Sequence, residues 1–162
     1  MDNLNLESLR EDYTKKSLKK AQLDKSPIRQ FALWFEQALK SEIKEPNAMA
    51  LATVNDKGLP NSRVVLLKSF DDDGFVFYTN YQSDKAKDMD QNPNVAVSFL
   101  WKQLERQIRI AGKVEKTDRT TSIKYFESRP RNSQIGAWVS QQSKPIANRK
   151  LLEDANQFYQ NK

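Results

Sequence analysis

The stretch "AMALATVNDKGLPNSRVVLLKSFDDDGFVFYTN", residues 48 to 80, decides the fold. Its apolar runs are separated by turn chemistry. "AMALATV" is followed by "NDKG" at Asn55 to Gly58, then "LPNSRVVLLK", and "SFDDDG" at Ser69 to Gly74 precedes "FVFYTN". Asn, Asp and Gly between β-branched and aromatic runs predict strands joined by tight turns. The same stretch raises a chemical question, because Arg63 and Lys68 flank its most apolar segment and Tyr78, Thr79 and Asn80 close it. Strict alternation puts Arg63, Val65 and Leu67 on one face and Val64, Leu66 and Lys68 on the other. Either a bulge intervenes or the two cations serve two different anions. Taken singly, a cation at a strand end also serves as a snorkelling or edge-protecting group.

Outward from this stretch, Ser26 before Pro27 has the form of a helix start, and Ile28, Phe31, Phe35 and Leu39 recur at helical spacing until Pro46 forbids continuation. On the other side, "SDKAKDMDQNP" predicts a short helix beginning near Ser83, and "VAVSFLW" a fourth strand. "LERQIRIAGKVEK" alternates Ile108, Ile110 and Val114 against Gln107, Arg109, Ala111 and Lys113, as a half-buried strand does. After Thr117, "DRTTSIKYFESR" is helical up to Pro130. "RNSQIGAWVSQQSKP" reads as irregular, and a last helix runs from about Ile146 to Tyr159. Strands with helices at the ends imply a mainly β fold with flanking helices, a small antiparallel Greek-key-like barrel. Residues 1–25 are polar, include "KKSLKK" at Lys15 to Lys20, and read as an N-terminal arm or short helix before a domain over 26–162.

Composition limits the chemistry. With 162 residues the chain can bury a core as one domain. It has no cysteine and no histidine, which excludes thiol nucleophiles, thiolate or imidazole metal sites, disulfides and a Ser-His-Asp arrangement. No protein nucleophile and no metal site is expected, so an enzyme of this composition leans on a cofactor. A net charge of +6 favours an anionic partner. Acids in "FDDDG" and "SDKAKDMD" interrupt any basic stripe and argue against nucleic acid. No apolar run approaches the length of a membrane-spanning helix. The acidic start "MDNLNLESLREDY" lacks the form of a signal peptide, so a cytoplasmic location is expected.

Two further clusters carry polar chemistry. In "KYFESRPRNS", Tyr125 and Arg129 are four apart and would share a helix face, with Ser133 just past the Pro130 break. Phenol, guanidinium and hydroxyl together can clamp a phosphate, though an exposed helix with a capping serine has the same spacing. "QIGAWVSQQSKP", Gln134 to Pro145, is dense in amides and hydroxyls and suits a ligand-facing loop or an ordinary polar connection.

Taken in order, "RVVLLK", "GFVFYTN", "SDKA", "LERQ" and "SRPRNSQIGAWVSQQS" resemble the pyridoxamine 5′-phosphate oxidase family, over nearly the whole chain from "LREDY" at Leu9 to at least Ser143. The resemblance implies an FMN-binding split barrel, usually a homodimer with FMN at the subunit interface. It implies that Arg63, Val64, Val65, Leu66, Leu67 and Lys68 lie along the flavin, that Tyr78 and Thr79 contact it, that Lys85 meets its phosphate, and that Gln107, Gln142 and Ser143 complete the cofactor site. The substrate phosphate is implied to rest on Lys68, Tyr125, Arg129 and Ser133, with Arg10, Glu11, Asp12 and Tyr13 closing over the substrate. The implied reaction takes a hydride equivalent from C4′ of pyridoxamine or pyridoxine 5′-phosphate to the flavin, which molecular oxygen reoxidises with release of hydrogen peroxide.

Asp84 departs from the pattern, standing where family members commonly carry arginine. An acid there weakens a phosphate site unless it points away, and near the start of a helix it complements the dipole. The family pattern also continues past the final "ANQFYQNK", through a strand-rich segment and an "RLHDR"-like motif. The expectation is therefore a phosphate-binding half that is intact, with reduced turnover in this chain. The alternative is a split-barrel protein that binds FMN or pyridoxal phosphate with little or no oxidase activity.

Overall fold

The computed structural model describes residues 6–9, 12–15 and 17–161. The chain divides into two compact units, Met1–Pro46 with Phe99–Ile108 and Asn47–Ser98 with Arg109–Lys162.

In the first unit, helix α1 spans Pro27–Leu39 and starts as its sequence predicts. The Ser26 hydroxyl accepts from the Arg29 amide at 3.3 Å, and Pro27 occupies a position where a missing amide proton costs nothing. Phe31 of this helix is buried among Phe35, Phe99 and Trp101, with ring centroids 5.6, 5.3 and 6.1 Å away. The Trp101 indole satisfies its one donor on the Pro46 carbonyl at 2.9 Å, so the largest buried side chain leaves no polar debt.

The strands are β1 (Ala48–Val54), β2 (Pro60–Phe70), β3 (Phe75–Phe77), β4 (Asn94–Trp101) and β5 (Arg106–Lys113), in the sheet order β3-β2-β1-β4-β5. β1, β2 and β3 form an antiparallel meander, and β4 returns to pair with β1 through Leu51↔Val97, the fourth strand beside the first that defines a Greek key. The mainly β, helix-flanked fold expected from the sequence is the one observed. Asn55 builds the first turn: its side chain accepts from the amides of Lys57 and Leu59 at 3.0 and 2.9 Å, while Gly58 takes a φ of 75° that glycine alone adopts freely. On β1 the inward phase carries Met49, Leu51 and Thr53, all buried.

The question of the two cations on β2 has a structural answer. Leu67 pairs with Phe77 and Ser69 with Val76, so Lys68 is an extra residue in a bulge. Arg63 keeps the phase of Val65 and Leu67 and is half-buried, whereas Lys68 is exposed.

Three sequence expectations need correction. "FVFYTN" pairs only as far as Phe77, because Asn80 is taken up in the turn before the next helix: its side chain accepts from Gln82 and its carbonyl from Ser83, at 2.8 and 3.0 Å. The segment read as irregular contains a helix. Helix α2 is Asp84–Gln91, α3 is Arg119–Ser128 and α4 is Arg131–Val139. Pro130 ends α3 as expected, but a proline that stops one helix also suits the start of another. The last helix, α5, begins at Arg149 rather than near Ile146, where Asn148 accepts from the Leu151 amide at 3.1 Å.

Candidate functional site

The second unit gathers a buried polar cluster. Ser83, at the start of α2, is fully buried, and one residue into the helix Lys85 is buried as well. The Lys85 ammonium donates to the Gln142 side-chain carbonyl at 3.0 Å, with the Ser83 hydroxyl 3.4 Å away. The Thr79 hydroxyl donates to the same Gln142 oxygen at 3.3 Å. Thr79 and Lys85 therefore meet at the amide oxygen of Gln142, a residue far from both in sequence. Gln142 is presented by a turn closed by the Lys144 amide on the Gln141 carbonyl at 3.2 Å, in which Ser143 takes a φ of 66°. A non-glycine residue in that region carries backbone strain, commonly of order 1 kcal/mol or more.

Arg63 approaches from β2. Its guanidinium donates to the Thr53 hydroxyl at 2.7 Å and lies 3.3 Å from the carbonyls of Leu51 and Asn61. The Thr53 hydroxyl donates in turn to the Asp88 carboxylate at 2.7 Å, and the Asn61 amide reaches the same oxygen at 3.4 Å. Arg63 itself stands 3.9 Å from Asp88. Burial first, and then repulsion from Arg63, pushes the Lys85 ammonium below its usual 10.5, with only partial opposition from Asp84. Two cations held near each other in a desolvated place favour an anion between them. Asp84 does not intrude, because its exposed carboxylate pairs with Lys87 at 3.1 Å.

Beside this cluster, Tyr78 and Tyr125 stack face to face, centroids 3.6 Å apart and planes 3° from parallel. The Lys68 ammonium stands 5.9 Å from the centre of the Tyr125 ring. Burial, with contributions from Tyr125, Asp118 and Tyr81, raises the Tyr78 phenol above its usual 10.0, so it stays a neutral donor at physiological pH. Tyr78 and Tyr125 thus join residues expected on the cofactor to residues expected on the substrate.

Other expected residues are placed as follows. Arg129 does not share a helix face with Tyr125. It is the extended residue that caps α3, its guanidinium 5.8 Å from the Phe126 ring, because the residue before a proline is driven out of helical geometry. Ser133 lies in the first turn of α4, its amide on the Pro130 carbonyl at 2.8 Å. Val64 and Lys68 point outward on β2, Val65 and Leu66 are half-buried, and Leu67 is buried. Gln107 is exposed on β5, as are Asp12 and Tyr13 in the arm; Arg10 and Glu11 lie outside the described residues.

Sequence reasoning missed Thr53, Asn61, Asp88 and Gln134. Thr53 had a signal, since it is polar in phase with Met49 and Leu51. Asp88 had one too, three residues after Lys85 on the same helix face. Gln134 was read only as the start of a ligand-facing loop or polar connection. Its amide donates to the carbonyls of Glu127 and Arg129 at 3.1 and 2.8 Å, satisfying acceptors that the end of α3 leaves open.

Among the described residues, no group of His, Cys, Asp and Glu is arranged to hold a metal ion, and no helix is long and apolar enough to cross a membrane.

Known proteins share this fold and much of this sequence. The family model described as pyridoxamine 5′-phosphate oxidase matches residues 35–159. A pyridoxine/pyridoxamine 5′-phosphate oxidase of Trichormus variabilis is 52% identical over 154 residues, covering 95% of this chain and 72% of the relative. One of Hydrogenovibrio crunogenus is 54% identical over 149 residues, covering 92% and 70%. Among solved structures, PhzG from Burkholderia lata, determined with tetrahydrophenazine-1-carboxylic acid, aligns with a TM-score of 0.83 at 25% identity over 88% of this chain and 72% of its own. A pyridoxamine 5′-phosphate oxidase-related, FMN-binding protein of Nostoc punctiforme aligns with a TM-score of 0.63 at 20% identity, over 81% and 73%, and shares the split-barrel fold. The chain belongs to the pyridoxamine 5′-phosphate oxidase family.

Proposed function

We propose that the chain is an FMN-dependent oxidase that converts pyridoxamine or pyridoxine 5′-phosphate to pyridoxal 5′-phosphate, with molecular oxygen as acceptor and hydrogen peroxide as product. The observation that carries this reading is the meeting of Thr79 and Lys85 on the Gln142 amide oxygen, in a place where burial first and Arg63 second depress the Lys85 ammonium. A cation pair with neutral donors beside it fits a phosphomonoester, which accepts charge-assisted hydrogen bonds from several directions. In this reading Lys85 and Arg63 hold the FMN phosphate, and Thr79, Gln142 and Ser143 supply neutral contacts. The stretch Val64 to Leu67 and Tyr78 line the flavin.

When bound, FMN supplies the two-electron acceptor that oxygen regenerates. The chain's own share is binding and orientation. Lys68, Tyr125, Arg129 and Ser133 would hold the substrate phosphate and so orient the substrate for transfer to the flavin. Tyr78, kept protonated by its surroundings, is a neutral phenol that removes no proton. The protein works as a homodimer in the cytoplasm, and neither nucleic acid nor membrane is its partner.

The test is the visible spectrum of the purified chain, followed by addition of pyridoxamine 5′-phosphate in air. A flavin spectrum with both peroxide and aldehyde is the expected result. Flavin without products would make the chain a binding protein, and no flavin uptake after adding FMN would sink the reading. Arg129→Ala separates the two phosphates: the Michaelis constant for the phosphorylated substrate should rise with FMN content unchanged.

A further inference from the structure

We infer that Thr53 and Asp88 form a buried relay that positions Arg63 for anion binding, Thr53 acting as the hinge between the guanidinium and the carboxylate. The geometry is directional. A hydroxyl has one proton and can accept as well as donate. Here Thr53 gives its proton to Asp88 at 2.7 Å and receives one from Arg63 at 2.7 Å. The order cannot be reversed, because guanidinium has no acceptor and a carboxylate no proton. Thr53 is fully buried and Asp88 is 7% exposed, so neither partner has water as a substitute.

The relay explains how two cations stay close together. Lys85 is pushed toward losing its proton first by burial and then by repulsion from Arg63. Direct pairing of Arg63 with Asp88 would cancel that charge. The carboxylate forms only a long ion pair with the guanidinium, at 3.9 Å, with the threonine bonded to both, and the Leu51 and Asn61 carbonyls at 3.3 Å add to the hold on Arg63. Asn61 adds a second hold on the same carboxylate oxygen, at 3.4 Å. Thr53 and Asp88 are positioning residues that touch no ligand themselves. The inference rests on the reading of Arg63 and Lys85 as the cations of the FMN phosphate.

The test compares Thr53→Val, which keeps the shape and removes the hydroxyl, with Thr53→Ser, which keeps the hydroxyl and removes a methyl group. In the full chain without FMN, nitrogen-detected NMR of the Arg63 guanidinium should show a restrained group in the parent and in T53S, and rotational averaging in T53V. On titration with FMN, T53V should bind about tenfold more weakly, the order expected for one hydrogen bond to a charged group, and T53S should bind close to the parent. A merely structural threonine predicts lower thermal stability in T53V with FMN affinity and the Arg63 signal unchanged, and that result overturns the inference. T53S behaving as T53V overturns it too, since packing of the methyl group would then be what matters. If the parent takes up no FMN, the functional reading fails and the Arg63 signal alone decides the relay.

Discussion

The two units bury different things. Around α1, the buried groups include Phe31, Ala38, Phe99 and Trp101, and the Trp101 indole nitrogen has its acceptor, while one guanidinium nitrogen of Arg106, stacked on Trp34, is buried without a partner. Around α2, the buried groups include Thr53, Ser83, Lys85 and Asp88, and the pair of cations there is arranged at a cost in desolvation. Apolar burial stabilises directly, whereas a buried ionic group does so only when fully paired. The first region therefore contributes stability and the second holds chemistry, and substitutions in the two should move stability in opposite directions.

The strongest way to break this comparison is Trp101→Ala. It removes the largest fully buried side chain and should lower unfolding free energy by about 3–5 kcal/mol, read as a reduced urea midpoint. A loss below about 1 kcal/mol would mean the aromatic cluster is not the core it looks to be. Next in size is Lys85→Met, where the sign should invert: replacing a buried cation by an apolar chain should raise stability at neutral pH by about 1 kcal/mol or more while abolishing FMN uptake.

The same variant has a pH signature. Because the folded value of Lys85 lies below its unfolded 10.5, the unfolded chain binds this proton more tightly. This group's contribution to stability therefore rises with pH between the depressed folded value and 10.5. The advantage of Lys85→Met should shrink as pH climbs through that window, and urea midpoints of the two proteins measured side by side would show it. A gap that stays constant would mean the ammonium is not desolvated.

Asp118→Ala sharpens the picture at the level of a single cap. Asp118 accepts from the Thr121 amide at 2.9 Å at the start of α3, the helix that carries Tyr125, so its loss should lower the melting temperature modestly. The smallest effect is expected at Ser143→Gly, which should relieve the strained φ of 66° and raise stability by a few tenths to about 1 kcal/mol. A decrease in melting temperature would show that the serine side chain holds the turn.

What could be read in the sequence follows from how local each feature is. The β1–β2 turn was legible because Asn55 and Gly58 carry their geometry in their own covalent structure, and α1 because Ser26 and Pro27 do the same. Helix α4 was not, since "RNSQIGAWV" is poor in helical periodicity and one of its stabilising contacts, Gln134 on the end of α3, comes from a neighbouring helix. For the site, the segments were legible as ordered motifs. The hydroxyl that links Arg63 to Asp88 was not, because two strands and a helix must come together before Thr53 has anything to bond. Arg129 was misplaced by treating spacing as helical across a residue that proline forces out of the helix.

The return of β4 to β1 also bears on the order of events in folding. β1 meets β2 across a short turn, but its pairing of Ala52 with Ala96 closes a much longer loop. Inside that loop lie Arg63, Lys68, Tyr78, Thr79, Lys85 and Asp88. Closing a long loop is entropically slower than zipping a hairpin. A chain caught with only its first hairpin formed would already have native strand structure and yet no anion site, so recovery of cofactor affinity should lag behind recovery of β structure during refolding.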